Sequence, residues 1–336
     1  MSQQEPKCLA ALCKQDGDPQ MYNTFMEGKD LYSEIASKAF NFSYLECLEH
    51  FPKDTPIKKK GDRWYYATLD DYDKLADGET DTYKDGKERR TQAKSILLGA
   101  LYGRGVDSIA EQLHCSSDKA EQIKASVFKG FPAIKKFEDE SCDMCYDLGY
   151  VTTIAGRKRR LPDYQLHRYT FRWVNGVSPY DDPLDFNEIQ EDIEVPHEKQ
   201  TYYLNKLNGR INFQARQKIF EEANKEGIWI DDNFKKISQA QRQIVNSRIQ
   251  GSAADLTKLA MIALDTNEEL RNLGFRLLIP VHDEVIAKCP LENAKECARL
   301  LAETMSKAAE KMLEMPIKCD VTISREWYGE ELNLGD

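Results

Sequence analysis

No stretch of these 336 residues is apolar for long enough to span a bilayer, and residues 1–30 lack the pattern of a signal peptide. Those absences predict a protein of the cytoplasm with no membrane partner. Paired cysteine spacing is missing too. The nine cysteines are irregularly placed, which predicts reduced thiols in an intracellular setting. Cys142 and Cys145 form one CxxC with no second pair, so zinc or redox chemistry is not indicated there. No internal repeat is visible. A basic excess is also lacking: the net charge is −10, which weighs against a partner whose binding is driven by phosphate neutralisation.

Distribution matters more than the sum. Cations cluster at Lys58–Lys60, Lys87–Lys94 and Arg157–Arg160, while acid gathers in Asp70–Asp85 and Asp181–Glu198. With 41% hydrophobic and 31% charged residues, the chain has the balance of a soluble globular protein, long enough for two domains. Helices are expected near 2–14, 19–28, 30–50, 87–101, 106–113, 116–129, 132–147, 237–270 and 291–314. A short strand is expected at Trp64–Tyr66, hairpins at 150–162 and 275–289, and a last strand at 317–324. The fold class is therefore α+β. Residues 164–236, rich in aromatics and acids, read as an insertion, helical around 200–225.

Two segments carry chemistry. In Arg90-Thr-Gln-Ala-Lys94-Ser-Ile-Leu-Leu98-Gly-Ala-Leu-Tyr102-Gly103, the residues Arg90, Lys94, Leu98 and Tyr102 recur every four positions and share one helical stripe. Two cations, an apolar group and a ring in a row suit the phosphates, sugar and base of a nucleoside triphosphate. They equally suit the solvated face of an amphipathic helix, with Ala93, Ile96, Leu97 and Ala100 packing behind. In Leu277–Cys289, two β-prone runs flank His282-Asp283-Glu284. Carboxylates at that tip suit a hard divalent cation, and acidic tips are also ordinary turn chemistry.

Taken together and in this order, the motifs resemble those of the family A DNA polymerases, the family of bacterial DNA polymerase I and many phage replicases. Arg-x3-Lys-x3-Leu-x3-Tyr-Gly and Val281-His-Asp-Glu-Val285 are similar to its second and third polymerase motifs. Phe25–Asp30 resembles the segment before its fingers helices. Gly149–Pro162 resembles its basic hairpin, and Arg242-x3-Asn246-x3-Gln250 through Asp255 its long palm helix. The likeness covers about residues 2–50, 86–163 and 238–330. A helical scaffold protein unrelated to nucleotides would need five ordered motifs to coincide by chance.

The resemblance implies mostly helical fingers with a small antiparallel palm sheet. It divides the chain into residues 1–163, the end of the first motif with the fingers; 164–236, the insertion; and 237–336, the palm. It implies template-directed transfer of dNTPs to a primer 3′ end in DNA replication, through two Mg²⁺ ions about 4 Å apart. Asp283 would hold metal, with Glu284 in support. Arg90 and Lys94 would grip the β- and γ-phosphates, and Lys94 would protonate pyrophosphate. Tyr102 and Gly103 would line the base-pair pocket. Glu5 would exclude a 2′-hydroxyl, and Leu98 would favour normal dNTPs over chain terminators. Arg242, Asn246 and Gln250 would contact the primer–template minor groove, whose acceptors are common to all correct pairs. His282 would lie near the primer terminus or be a turn histidine without a role.

At Ser2–Lys7 the sequence resembles the tail of the family's first motif, with Met1 where an aromatic stands and the metal-holding Asp before it absent. The expectation is a C-terminal polymerase part lacking the thumb and first palm strand: half of a split enzyme, an interrupted gene or a truncated frame. Such a part would work with a second polypeptide carrying the thumb and that Asp. The competing expectation is a non-catalytic DNA-binding remnant.

Overall fold

The computed structural model describes residues 3–49, 57–60, 63–66, 84–174, 194–209, 211–282 and 284–332. The fold is α+β: helices dominate and the described strands form separate antiparallel pairs. The chain divides into two compact units, one of Met1–Arg160 with Arg242–Asp336 and one of Leu161–Gln241.

The first unit is built around α1 (Gln4–Gln15), in which six consecutive residues from Cys8 to Cys13 are buried. A helix apolar on all sides must lie inside other helices. α2 (Gln20–Met26), α3 (Leu31–Phe40) and α4 (Lys84–Leu101) share its core, as do α5 (Val106–Gln112), α6 (Ser117–Gly130) and α7 (Pro132–Leu148). Local chemistry sets the boundaries. Asp30 caps α3 by accepting from the Ser33 amide at 2.8 Å. That helix ends sooner than 30–50 suggests, because Asn41 takes the left-handed conformation at φ 57° and closes it. Pro132 opens α7, and Gly149 at φ 71° ends it.

A hairpin of β1 (Ile57–Lys60) and β2 (Arg63–Tyr66) contains the strand expected at Trp64–Tyr66. The basic hairpin is β3 (Tyr150–Thr152) paired with β4 (Lys158–Arg160). The second unit pairs β5 (Tyr169–Trp173) with β6 (Ile228–Asp232), and adds α8 (His197–Leu207) and α9 (Phe213–Lys225). Trp173, Tyr203, Leu207, Ala223, Ile228 and Ile230 give it a core of its own. Helix was expected around 200–225; the strands beside it were not.

The long helix α10 (Phe234–Thr266) runs on into the first unit. After the short α11 (Glu268–Asn272) come β7 (Arg276–Val281), β8 (Glu284–Lys288) and α12 (Ala294–Leu313). One side of the β7–β8 hairpin packs Leu277, Val285 and Ala287 onto Leu264, Phe275 and Leu300. On β7, Leu278 is 50% and Ile279 is 43% exposed. The strand expected at 317–324 is absent; the segment forms only an isolated bridge from Ser324 to Glu331. The Pro316 carbonyl accepts from Lys7 Nζ at 2.7 Å, and Met315 and Ile317 sink into the core around α1.

Candidate nucleotide and DNA site

The predicted stripe on α4 exists. Ala93, Ile96 and Leu97 are buried against the core, while Lys94 is exposed and Leu98 and Tyr102 are half-buried. The opposite sides of one helix thus divide between packing and presentation, as the four-residue spacing requires. α4 stops by a left-handed turn. Gly103 sits at φ 71°, and the Arg104 amide donates back to the Gly99 carbonyl at 2.8 Å. Gly103 meets a second demand. A Cβ placed there would lie 2.5 Å from Cγ of Arg242, so the turn and α10 touch only because position 103 has no side chain.

Arg242, Asn246 and Gln250 form a stripe along α10, and Ile244, Val245 and Ile249 beside and behind it are buried. This face meets the end of the α4 stripe at two points. Arg242 packs over Gly103, and Gln250 donates toward the Tyr102 hydroxyl. That hydroxyl also donates to the Glu5 carboxylate. Burial pushes the Tyr102 phenol above its ordinary value. The Glu5 carboxylate adds to the rise and Gln250 opposes it. Asn246 keeps its Oδ1 buried with no hydrogen-bond partner among the described residues. α1, α4 and α10, far apart in sequence, thus converge on Tyr102.

At the other end of the stripe stand residues whose roles the sequence did not disclose. Asp30 receives Arg90 through two bonds, from Nε to Oδ2 and from Nη2 to Oδ1, each 3.0 Å. This is the fork geometry that makes an arginine–carboxylate pair strong. Burial raises the Asp30 carboxyl, but Arg90 and the Ser33 donors outweigh it and leave it below its ordinary value. Likewise, burial works against the Arg90 charge and the Asp30 carboxylate outweighs it, so its pKa lies above the ordinary one. The third edge of the guanidinium, Nη1, faces Glu49 Oε2 at 3.6 Å. Beneath lies Tyr32, 4% exposed, with Arg90 5.4 Å and Lys94 5.7 Å from the ring centre. Asp30 is 60 residues from Arg90 and looks like a plain helix cap, so spacing gave no sign of the pair.

The basic hairpin is fastened beside Gln250. Thr153 Oγ1 and Arg157 Nε donate to Asp255 at 2.6 and 2.7 Å, and Arg157 Nη2 donates to the Gly251 carbonyl at 2.9 Å. A Cβ on Gly251 would lie 2.7 Å from the Thr153 methyl. The structure therefore divides the Arg157–Arg160 cluster. Arg157 is engaged with α10, whereas Lys158, Arg159 and Arg160 are exposed.

The acidic tip is less complete. Val281 pairs with Glu284 across the two strands, and His282 stands at the end of β7. Asp283, expected to hold metal, lies outside the described residues. His282 is exposed at φ 51°, a conformation that costs a residue with a side chain. Glu284 is exposed. No hydrogen bond or ion pair among the described residues ties either one to the stripe. No group of three or more potential metal ligands exists among the described residues. Glu284 alone does not make a divalent-cation site. No helix among the described residues is long and apolar enough to cross a membrane.

The model of DNA polymerase family A matches residues 70–174 and 198–329, and the chain belongs to that family. The match resumes at 198, inside the segment that resembled nothing from sequence. The thermostable DNA polymerase I of Thermus aquaticus is 25% identical over 326 residues, which is 97% of this chain and 26% of the relative. DNA polymerase I of Lactococcus lactis subsp. lactis is 25% identical over 320 residues, 95% of this chain and 25% of the relative. DNA polymerase theta of Drosophila melanogaster is 25% identical over 293 residues, 84% of this chain and 11% of the relative. The chain thus spans about a quarter or less of the curated relatives it matches. The fold is shared with the POL domain of Pol1 from M. smegmatis, solved in complex with DNA primer-template and dNTP. The TM-score is 0.53 at 22% identity, over 91% of this chain and 35% of that one.

Proposed function

We propose that this chain supplies the nucleotide-binding fingers and much of the palm of a DNA-directed DNA polymerase, a nucleotidyltransferase of DNA replication. The observation that carries the proposal is the meeting of the α4 stripe with the α10 face at Tyr102. It places cations for phosphates and a ring for a base beside donors suited to a base-pair edge. Lys94, exposed on the stripe, binds the triphosphate and protonates the leaving pyrophosphate. Arg90 joins it from the Asp30 fork. Leu98 lies against the sugar. Glu5, fixed by Tyr102, closes the space a 2′-hydroxyl would need, and so selects dNTPs. Arg242, Asn246 and Gln250 grip the primer–template minor groove, and Lys158–Arg160 bind backbone phosphates.

The similar Pol1 domain was solved with DNA primer-template and dNTP, which supports both partners. Mg²⁺ matches the carboxylate chemistry of Asp283 and Glu284, and would supply charge neutralisation for in-line phosphoryl transfer. The exposed Leu278 and Ile279 on a two-stranded hairpin favour a further strand from a second polypeptide that carries the thumb and another carboxylate. Primer extension by this chain, with and without such a partner, tests the proposal. Template-dependent extension that vanishes in Lys94→Ala supports it. No extension under either condition, with DNA binding intact, favours a non-catalytic remnant.

A further inference from the structure

Arg90 meets two carboxylates, and they hold it differently. Asp30 takes Nε and Nη2 in a two-bond fork. It is also tied down on its own side: it caps α3 through the Ser33 amide at 2.8 Å, accepts from Ser33 Oγ at 2.8 Å, and receives Gln3 Nε2 at 2.9 Å. Its side chain is 17% exposed. Removing Asp30 from Arg90 would leave a buried carboxylate to be satisfied elsewhere, which is costly. Glu49 is unlike it. It faces the remaining nitrogen, Nη1, at 3.6 Å, too long for a hydrogen bond, and its side chain is 26% exposed. The same carboxylate reaches Lys87 at 2.9 Å, one turn before Arg90 on α4. Glu49 is thus an anion set across two cations of the stripe helix, on the guanidinium edge that Asp30 leaves over.

Resting on the nucleotide reading above, we propose that Glu49 is a built-in stand-in for the nucleotide's terminal phosphate. It covers the Arg90 edge that the phosphate takes and is displaced when a triphosphate binds. Asp30 remains a positioning residue, which orients the fork so that Nη1 faces outward. The two carboxylates therefore act with opposite sign. One presents Arg90 and the other competes for it. A ligand's charge sets whether it wins: a phosphate with about two negative charges displaces one carboxylate from a weak, solvent-screened pair more readily than a neutral nucleoside does. No proton or covalent bond moves; one ion pair is exchanged for another. Glu49 is then a specificity residue that sets how much negative charge a nucleotide must bring.

The test is calorimetric titration of the full chain with dATP, inorganic tripolyphosphate and deoxyadenosine, with no divalent cation added. Glu49→Gln keeps the shape and removes the charge. It should bind dATP and tripolyphosphate about threefold tighter, on the scale of one exposed ion pair, and leave deoxyadenosine unaltered. Glu49→Ala should do the same, which guards against an effect of the amide. Asp30→Asn and Arg90→Ala should weaken both phosphate ligands, and thermal melts check that each variant is folded. If the Glu49 variants bind dATP as the parent does, or more weakly, while Arg90→Ala loses affinity, the stand-in is overturned and the nucleotide site stands. If neither parent nor variants bind dATP or tripolyphosphate, the stand-in and the nucleotide reading fall together.

Discussion

Gly103 and His282 both hold left-handed backbone, at φ 71° and 51°, and the sequence treats them in opposite ways. At the end of the stripe, the residue best suited to that conformation is in place, and Arg242 packs directly over it. At the tip of the β7–β8 hairpin, a histidine sits where glycine or asparagine would be less strained, exposed and followed in sequence by two acidic residues. The stripe is built as a scaffold is, with each local choice agreeing with the fold. The tip is built against local preference, and such departures gather where a side chain is needed for something other than folding. The proposed binding surfaces follow local preference, while the proposed chemistry stands beside an exposed and strained residue.

The comparison is sharpened first at Lys94. It is exposed on the stripe, and its loss removes only the 5.7 Å approach of its ammonium to the Tyr32 ring. Lys94→Ala should therefore leave the melting temperature within error. In the partnered enzyme it should lower kcat/KM for dNTP about a hundredfold, the scale of losing one charge stabiliser of the transition state, with DNA affinity unaffected. Steady-state kinetics beside a DNA-binding titration separates the two. An unaltered dNTP dependence would leave Lys94 a solvated surface residue.

Gly103→Ala attacks the stripe where it is most finished. The new Cβ meets strained backbone and the Arg242 side chain together. We expect a loss of about 2 kcal/mol, the conformational part alone being about 1 kcal/mol or more. Combining it with Arg242→Ala should recover the steric part and leave the backbone part. Denaturant unfolding of the two single variants and the double measures the coupling. Strictly additive effects would mean that the two residues do not touch.

Tyr102→Phe removes the hydroxyl shared by Glu5 and Gln250. Leaving the half-buried Glu5 carboxylate without its donor should cost about 1 kcal/mol near neutral pH. The pH dependence has a definite sign. The phenol's folded pKa is raised above its ordinary value of 10. Its contribution is therefore full below pH 10 and is lost as pH rises toward the folded value. The parent should lose stability above pH 10, and Tyr102→Phe should lose less. Parallel melts from pH 8 to 11 would show it, and identical alkaline slopes would contradict the burial of that hydroxyl.

Much of this was legible in sequence, and for a physical reason. Arg90, Lys94, Leu98 and Tyr102 are local: helical periodicity alone aligns them, as it does Arg242, Asn246 and Gln250. What escaped was non-local. Asp30 meets Arg90 across 60 residues, and its capping of α3 is a sufficient local reason to exist. β5 and β6 pair Tyr169 with Asp232 around two intervening helices, so neither five-residue run signals its partner. The last strand, expected at 317–324, did not form: the chain just before it turns into the core, with Met315 and Ile317 buried and the Pro316 carbonyl accepting from Lys7. Arg157 read as one cation among four until Asp255 singled it out.

The smallest effect has the opposite sign. His282→Asn places at the end of β7 a residue that tolerates left-handed backbone. The hairpin should gain about 0.5 kcal/mol, because the strain at φ 51° is relieved and the exposed ring gives up no core packing. If the histidine serves the primer terminus, the same substitution should lower extension by the partnered enzyme while raising its melting temperature. That pairing of gain and loss would mark the tip as a place where stability yields to function. A variant that is both more stable and equally active would assign His282 to turn formation alone. One that is less stable would show that the ring holds the hairpin together, and the contrast with Gly103 would then be one of packing and not of purpose.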